Sequence, residues 1–353
     1  MKHWKRWTSE YAALLLIWLG LVGLFSLASD RFFTAATFSS LAGQVPTLTV
    51  IAAGMTLIVI TAGIDLSVGS DLGFAGAVFG VALSNGHLPV LIAALLALLA
   101  GAAAGWVNGW VSVRLRVPSF IVTLGMLEVA RGLSFVLTDS QTKYLGSVLG
   151  GLSVVLPVIG VPVSFIVALF VVVLLQVILS RTIFGRRLIA IGTNEEAVRL
   201  AGIDPAGPKI VVFVLTGLLV GMGALFYTAR LGSSDPNAGI GLELSAIAAV
   251  VIGGTSLMGG RGSVISTFLG VLIIATLESG LAQLGVSEPV KRVITGSVIV
   301  IAAVVDGWRA GIPGRPGALL RPTMRTSSIS IRTAMIWSIL TPRIDSISAR
   351  VMG

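Results

Sequence analysis

The sequence predicts an all-α polytopic membrane protein, and three observations point to that class. First, 55% of the 353 residues are hydrophobic and 11% are charged, whereas soluble domains carry about a quarter charged residues. Second, apolar runs of roughly 20 residues recur, which is the length of a helix that crosses about 30 Å of hydrocarbon. Third, the net charge of +9 lies in the short segments between these runs. That placement is typical of basic cytoplasmic loops and not of a nucleic-acid-binding surface.

The first apolar run, Tyr11–Ala28, follows the basic residues Lys2, Lys5 and Arg6. It is longer than the apolar part of a typical signal peptide, so we expect a retained helix. A cleavable signal peptide is the alternative, because Ser26-Leu-Ala28 resembles a cleavage site. Nine further runs give ten predicted spans: Val45–Gly63, Val68–Ser84, Leu88–Val113, Pro118–Thr138, Pro162–Ser180, Ile210–Leu231, Leu244–Met258, Gly262–Leu284 and Val290–Asp306.

The positions of the basic residues orient these ten spans. With both termini in the cytoplasm, most of the 24 Lys and Arg residues lie inside, as the positive-inside rule expects. The glycine-rich, proline-interrupted segment Tyr144–Val161 is interpreted as a periplasmic or re-entrant loop. We divide the chain into a transmembrane domain, residues 1–308, and a cytoplasmic tail, residues 309–353, which we expect to be flexible. The basic residues that fall outside or in the membrane are Arg31, Arg131, Lys143, Arg230, Lys291 and Arg292.

The longest polar passage between apolar blocks, Arg181–Lys209, is predicted to carry a short helix. Thr193-Asn-Glu-Glu196 has the spacing of a capping box, in which a hydroxyl and a carboxylate satisfy backbone donors at a helix start. Gly202 is expected to cap the end of this helix, and Pro205 prevents it from continuing. A capped helix on a basic loop is suited to contact with a partner outside the membrane.

A polar segment, Gly63-Ile-Asp-Leu-Ser-Val-Gly-Ser70, joins the second and third spans. Non-helical backbone at membrane depth is tolerated only where it is buried in protein or lines a water-filled cavity. An Asp at the bilayer centre costs about 2.5–3.5 kcal/mol. The segment is therefore either a pore or gate element, or a tight turn in which Asp65 and Ser67 cap the helices. The sequence leaves both interpretations open.

Other polar residues lie inside predicted spans. Glu128 and Arg131 are three residues apart and share one helix face, which favours an internal ion pair; a substrate contact is the alternative. Asn108 either lines a polar path or bonds to a neighbouring helix. It lies beside two consecutive Gly-x-x-x-Gly repeats, which favour close helix packing, formed by Gly101, Gly105 and Gly109.

Catalytic and metal-binding functions are not expected. The chain has no Cys and only two His, which disfavours thiol chemistry and Cys- or His-based metal sites. The glycine-rich stretch Gly253–Ser263 lacks the full phosphate-binding pattern, and no Gly-Lys dipeptide occurs in the chain. The sequence therefore excludes a P-loop for ATP in this chain, and we expect no cofactor of its own.

Four stretches of the chain resemble one family. They are GIDLSVGS (Gly63–Ser70), TLGMLEVARG (Thr123–Gly132), TIFGRRLIAIGTNEEAVRLAG (Thr182–Gly202) and VIGGTSLMGG (Val251–Gly260). In this order they resemble the permease subunits of bacterial ABC sugar importers, most closely the ribose, xylose, arabinose and galactose group. The resemblance runs from about Tyr11 to Trp308 and does not include the tail.

The resemblance implies a type II-like ABC importer permease with several partners. In this family two permease subunits form the channel, two cytoplasmic ATPases carry ATP and Mg, and a periplasmic sugar-binding protein delivers the substrate. The spacing Glu196-Ala197-x-x-x-x-Gly202 is similar to the family's coupling motif, which docks on the ATPase. The expected coupling residues are Glu195, Glu196, Ala197, Leu200 and Gly202.

The expected function is import of a pentose or hexose through the bacterial inner membrane by alternating access. Candidate path or gate residues are Asp65, Ser67, Ser70, Asn108 and Thr123. Basic residues expected near the outer surface would attract the binding protein, with lipid headgroups as the alternative partner: Arg31, Lys143, Arg230, Lys291 and Arg292. The alternative substrates are a nucleoside, a branched-chain amino acid or a signalling furanose. An ion-coupled secondary transporter, using Asp65 and Glu128, is the alternative from another class.

Overall fold

A computed structural model shows an almost entirely helical chain and describes residues 2–156 and 160–310. The predicted tail lies outside the described residues except for its first two. Two short strands, β1 (Lys143–Tyr144) and β2 (Ser233–Ser234), pair antiparallel. The helices are α1 Lys2–Ala28, α2 Ala35–Ile60, α3 Val68–Ser84, α4 Val90–Arg114, α5 Ser119–Thr138, α6 Gly150–Ser153, α7 Val163–Arg181, α8 Ile183–Thr193, α9 Glu195–Leu200, α10 Ala206–Leu231, α11 Leu242–Ile252, α12 Val264–Gln283 and α13 Glu288–Ala310.

Each predicted span contains a helix, but the helices differ in length. Seven described helices are long and apolar enough to cross a membrane: α1 from Tyr11 onward, α2, α4, α5, α7, α10 and α12. Helices α3 and α11 are shorter, with 17 and 11 residues. At 1.5 Å per residue α11 rises about 16 Å, roughly half of the hydrocarbon thickness. The predicted span Leu244–Met258 is therefore wrong in its second half, because the helix ends at Ile252 and a glycine-rich turn follows.

Helix α2 forms the centre of the bundle. It begins ten residues before the predicted Val45, because the Thr34 hydroxyl accepts a hydrogen bond from the Thr37 backbone N–H at 3.3 Å and caps the helix. This earlier start places Pro46 well inside the helix. Along most of its length α2 is covered by neighbouring helices, and Ile51 and Ile58 are fully buried.

The predicted glycine repeat of α4 packs directly on α10. A side chain at Gly101 or Gly105 would collide with the backbone carbonyl of Gly217 or Phe213. Gly217 in turn lies against the backbone of Gly101. The two helices therefore meet backbone to backbone, which is the arrangement that small residues permit in membranes.

A second set of glycines on α3 accommodates a stretch of extended chain. From the last residue of β2 toward α11, residues 234–239 run along α3 in the opposite direction. Ser234 lies against Gly80 and donates from Oγ to the Gly76 carbonyl at 2.6 Å. Gly239 lies against Gly69, about three turns away from Gly80 on α3. We call residues 234–239 the re-entrant segment, because it enters the bundle without forming a helix.

The α4–α10 contact predicts the effect of adding one methyl group. Gly105→Ala should lower the free energy of unfolding by about 1–3 kcal/mol, because the methyl overpacks the contact with Phe213. The matched control is Gly23→Ala, where no atom lies within 4 Å of the new methyl. Thermal unfolding in detergent measures both variants. Equal melting temperatures for the two variants would contradict the close packing.

Candidate functional site

Four polar side chains come together where α2 ends and α3 begins. The Asp65 carboxylate accepts from the Ser67 backbone N–H at 2.9 Å, and the Ser67 hydroxyl lies 2.7 Å from Asp65 Oδ1 and 2.6 Å from Asp71 Oδ2. Asn108 of α4 donates from Nδ2 to Ser67 Oγ at 2.9 Å. All four side chains are buried. We call Asp65, Ser67, Asp71 and Asn108 the polar joint.

Helix α5 holds the backbone of this joint. The Ile64 N–H donates to Ser119 Oγ and the Leu66 N–H donates to Thr123 Oγ1, both at 3.0 Å. The turn therefore has its backbone donors satisfied by side chains, as non-helical chain at membrane depth requires. The turn connects α2 and α3 with α4 and α5 in one buried contact.

The structure brings together four of the five predicted path or gate residues: Asp65, Ser67, Asn108 and Thr123. Ser70 is buried on the first turn of α3. Sequence reasoning missed Asp71, although its position four residues after Ser67 places both on one helix face. Their predicted role in a path or gate stays a prediction.

The turn interpretation of Ser67 needs a correction. Ser67 precedes α3 but makes no side-chain cap bond to that helix. Its hydroxyl bonds to the two carboxyl groups of the joint instead, because both lie within 2.7 Å of it. Asp65 does accept a backbone N–H, from Ser67. The residues thus form a cross-helix contact and not a simple pair of caps.

The predicted ion pair between Glu128 and Arg131 is not formed among the described residues. Arg131 donates from Nη1 to the carbonyls of Pro236 and Ala238, at 2.6 Å and 2.8 Å. These carbonyls belong to the re-entrant segment and have no helical partner, so the guanidinium satisfies them. Glu128, one turn earlier on α5, is exposed.

The predicted coupling helix is present as α9, with a different N-cap. Asn194, and not Thr193, accepts the Ala197 N–H at 2.9 Å, while the Thr193 hydroxyl donates to the Ile189 carbonyl of α8 at 2.8 Å. Thr193 is unavailable as a cap because α8, which the sequence did not indicate as a helix, extends through it. The predicted capping box is therefore wrong.

The other end of α9 agrees with the sequence. Gly202 has a φ of +80°, and its N–H donates to Arg199 while the Ile203 N–H donates to Val198. This pair of bonds is the Schellman arrangement, which favours glycine at the left-handed position. Leu200 is 82% exposed, so α9 presents an apolar side chain with nothing covering it.

The remaining predicted coupling residues lie on the same short helix. The Glu195 carboxylate pairs with Lys209 at 2.9 Å and with Arg199 at 3.3 Å, which ties α9 to the start of α10. The Glu196 side chain is mostly exposed and lies 4.0 Å from Arg199. Ala197 provides the N–H that Asn194 accepts.

Helix α8 connects α9 with the polar joint. A side chain at Gly192 would collide with the Ile60 carbonyl at the end of α2 and with the backbone of Gly260. The Gly260 N–H donates to the same Ile60 carbonyl at 2.9 Å. The joint begins five residues after Ile60, so the α8–α9 segment is packed directly on the chain that leads into it.

A cleft of about 870 Å³ lies between α9 and the joint. Gly63 and Ser119 line it on the side of the joint, and Glu195 and Gly202 line it on the side of α9. Four basic side chains also line the cleft: Arg114, Arg116, Arg199 and Lys209. A movement of α9 relative to the membrane helices would therefore change the shape of this cleft.

The predicted docking residues surround the opposite end of the bundle. Gln283, at the end of α12, donates to Thr37 at the start of α2 at 2.8 Å, and Arg230 lies beside Gly43. Lys143 pairs with Ser234 across the two strands. Helix α2 rises about 39 Å over its 26 residues, which separates this end from α8 and α9. The helix ends, the α1–α2 connection and strand β1 on this side carry Arg31, Lys143, Arg230, Lys291 and Arg292.

Comparison with known proteins identifies the family. Residues 37–303 match the family model described as branched-chain amino acid transport system / permease component. The chain belongs to this permease family. It is a multi-pass membrane protein and a channel component rather than an enzyme, consistent with the seven helices of spanning length among the described residues.

Curated relatives confirm the resemblance to sugar-importer permeases. The ribose import permease protein of Bacillus subtilis (strain 168) is 41% identical over 81% of this chain and 89% of its own length. That of Escherichia coli (strain K12) is 38% identical over 86% of this chain and 95% of its own. The D-allose transport system permease protein of the same strain is 35% identical over 80% of this chain and 86% of its own length. No solved structure matches the chain.

The cap of α9 can be tested by hydrogen exchange. Asn194→Ala should destabilise the start of α9 by about 1 kcal/mol, which raises amide exchange in residues 195–201 about fivefold. Thr193→Ala is the matched control, because the Thr193 hydroxyl bonds within α8. Exchange followed by mass spectrometry separates the two variants. A larger increase in exchange from Thr193→Ala than from Asn194→Ala would contradict the Asn194 cap and support the predicted capping box.

Proposed function

We propose that the chain is the membrane-spanning permease subunit of an ABC importer that moves a pentose or hexose into the cytoplasm. Partner ATPases would bind and hydrolyse ATP with Mg, and the permease would alternate between outward and inward access without covalent chemistry. The sugar-import names and identities of its relatives support this proposal. In this proposal the chain contributes helices and a coupling surface, while the chemistry of ATP takes place on the partner subunits.

The arrangement that carries the proposal is the packed route from α9 to the polar joint. Exposed Leu200 and the Schellman turn at Gly202 offer a rigid, uncovered surface to a cytoplasmic partner. Gly192 of α8 then lies on Ile60 at the end of α2. Because these contacts are between backbones, the displacement caused by closure of the ATPases can reach α2 and the joint without being absorbed by flexible side chains.

The proposed topology has ten membrane helices, both termini in the cytoplasm and the inner membrane as location. The ten are the seven helices of spanning length together with α3, α11 and α13. Helices α3 and α11 count although they are short, because the joint and the re-entrant segment complete their passages. Residues 1–308 form the transmembrane domain, with residues 181–209 as its coupling loop and residues 309–353 as a cytoplasmic tail. The basic residues at the far end of α2 then face the periplasm, where acidic residues of a sugar-binding protein can approach them.

The proposed sugar path lies along α5, between this permease and a second permease subunit. Glu128 is the tenth of the 20 residues of α5, near mid-membrane, and is exposed. Gly125 and Gly132 lie on the same face and have no atom within 4 Å of an added methyl. A carboxylate at this depth faces water or protein and not lipid. Glu128 is thus suited to accept hydrogen bonds from sugar hydroxyls.

The polar joint is proposed as the gate of this path. It is closed in the structure, since its side chains are buried and bonded to one another. Separation of Asn108 from Ser67 would open the contact between α3 and α4. Thr123 links the joint to the same helix that carries Glu128, so the gate and the path share α5.

The coupling role predicts a specific loss in Gly202→Val. A β-branched residue at a φ of +80° is strained by about 1–2 kcal/mol, which changes an equilibrium about tenfold. We therefore expect sugar-stimulated ATP hydrolysis in proteoliposomes, with the ATPase and binding protein added, to fall about tenfold. Glu196→Ala should reduce it in the same assay.

The matched control is Gly20→Val on α1, outside the coupling loop, where the glycine is exposed and an added side-chain carbon would have no neighbour within 4 Å. It should retain full stimulation. A panel of sugars, nucleosides and branched-chain amino acids identifies the substrate. Branched-chain amino acids are included because the family description names them. Uptake that needs no ATPase and follows a proton or sodium gradient would overturn the proposal in favour of a secondary transporter.

The water-filled path can be tested by thiol labelling, because the chain contains no Cys. Glu128→Cys should react with a charged thiol reagent, since the reactive thiolate forms in water, and substrate should slow the reaction. Phe170→Cys on α7 is the control; Phe170 is 64% exposed among apolar neighbours and should face lipid. Equal labelling at both positions, or none at Glu128→Cys, would remove Glu128 from the path.

A further inference from the structure

The polar joint contains two buried carboxyl groups and no basic partner. Asp65 and Asp71 are 2% and 1% exposed, and among the described residues neither forms an ion pair with Lys or Arg. Arg131, on the adjacent α5, uses its guanidinium for the carbonyls of Pro236 and Ala238. Two ionised carboxylates here would be like charges without compensation, which is strongly unfavourable in a buried site.

The three hydrogen bonds at the Ser67 hydroxyl need one more hydrogen than Ser67 and Asn108 supply. A hydroxyl has one hydrogen to donate and two lone pairs. Asn108 donates to one lone pair at 2.9 Å. Asp65 Oδ1 and Asp71 Oδ2 both lie within 2.7 Å of the same oxygen, yet the hydroxyl hydrogen can serve only one of them. The other carboxyl group must donate its own hydrogen to the second lone pair.

Two buried acceptors near these contacts also indicate that the joint is short of hydrogen-bond donors. Asp71 Oδ1 and Asn108 Oδ1 have no hydrogen-bond partner, and Asn108 is 0% exposed. The joint thus has more acceptors than donors even after the Ser67 contacts are assigned. An added proton supplies one more donor and reduces this excess. A second negative charge would instead raise the free-energy cost of burying acceptors without partners.

We propose that Asp65 and Asp71 bind one proton between them, across the Ser67 hydroxyl. The joint then carries a single negative charge at neutral pH. The proton completes the hydrogen bonds that hold the start of α3 to α4, so its removal places two like charges on one hydroxyl and loosens the joint. This proposal does not depend on which solute the permease carries.

The charged groups around the joint do not replace the proton. Helix α4 contributes the neutral Asn108, and α5 contributes the neutral Ser119 and Thr123. Beyond them, Glu243 at the start of α11 lies against Gly69 and adds negative charge, while Arg131 lies against Gly73. These two charges are opposite, so together they leave the excess of negative charge at the joint unchanged.

Infrared spectroscopy with ¹³C-labelled aspartate tests the proposal directly. Asp65 and Asp71 are the only buried aspartates among those whose side chains the structure describes. We expect the purified protein to show the C=O absorption of a neutral, label-shifted carboxyl group at neutral pH. Asp65→Asn and Asp71→Asn should each abolish it, because the remaining carboxylate then receives a hydrogen bond from Ser67 and stays ionised.

Asp139→Asn is the matched control and should keep the absorption. Asp139 is exposed at the end of α5 with a φ of +54°, a conformation that Asn tolerates well. A wild-type protein without a neutral aspartate at neutral pH would overturn the proposal. Persistence of the absorption in both joint variants would also overturn it.

Thermal unfolding at different pH values provides a second readout. Unfolded aspartates ionise near pH 3.9, so above that pH the folded joint holds one proton more than the unfolded chain. Stability must then fall as the pH rises until the joint loses its proton. Asp71→Asn should be less sensitive to alkaline pH than the wild type. The result should be the same in sodium and choline chloride; stabilisation by sodium without a neutral aspartate would assign the site to sodium instead.

Discussion

The fold depends on one constraint, that polar backbone groups at membrane depth must find partners inside the protein. The re-entrant segment between β2 and α11 is where this requirement is most demanding, because its carbonyls have no helical partners. Arg131 bonds to two of them, at Pro236 and Ala238. The glycines of α3 let the segment approach closely enough for Ser234 to bond to Gly76. Helices α3 and α11 can be short because this segment is satisfied between them.

The same constraint explains how the two ends of the molecule are connected. The turn after α2 is satisfied by Ser119 and Thr123 of α5, and the carbonyl of Ile60 is satisfied by Gly260. Gly192 packs on that carbonyl. Helix α9, the end of α2 and the polar joint are thus joined through α8 and backbone contacts. Such contacts transmit displacement because close-packed interiors have little compressibility.

Much of the candidate site was predictable from spacing, but the partners were not. Asp65, Ser67, Asn108 and Thr123 could be selected because polar residues are unexpected in apolar spans. Their meeting at one point depends on how α2, α4 and α5 pack. Glu128 and Arg131 show the limit of the helix-face rule: it predicts that the two can pair, but the carbonyls of the re-entrant segment compete successfully for the guanidinium.

The sequence by itself determined the class of protein, a helix in each of the ten predicted segments to within about ten residues, the end of α9 at Gly202 and the glycine face of α4. These features follow from local rules of hydropathy, helix termination and side-chain size. Tertiary structure decided the rest. It ended α11 at Ile252, gave the cap of α9 to Asn194 because α8 extends through Thr193, and placed Asp71 in the joint. Hydrogen-bond partners separated by tens of residues are chosen by packing, and no local spacing specifies them.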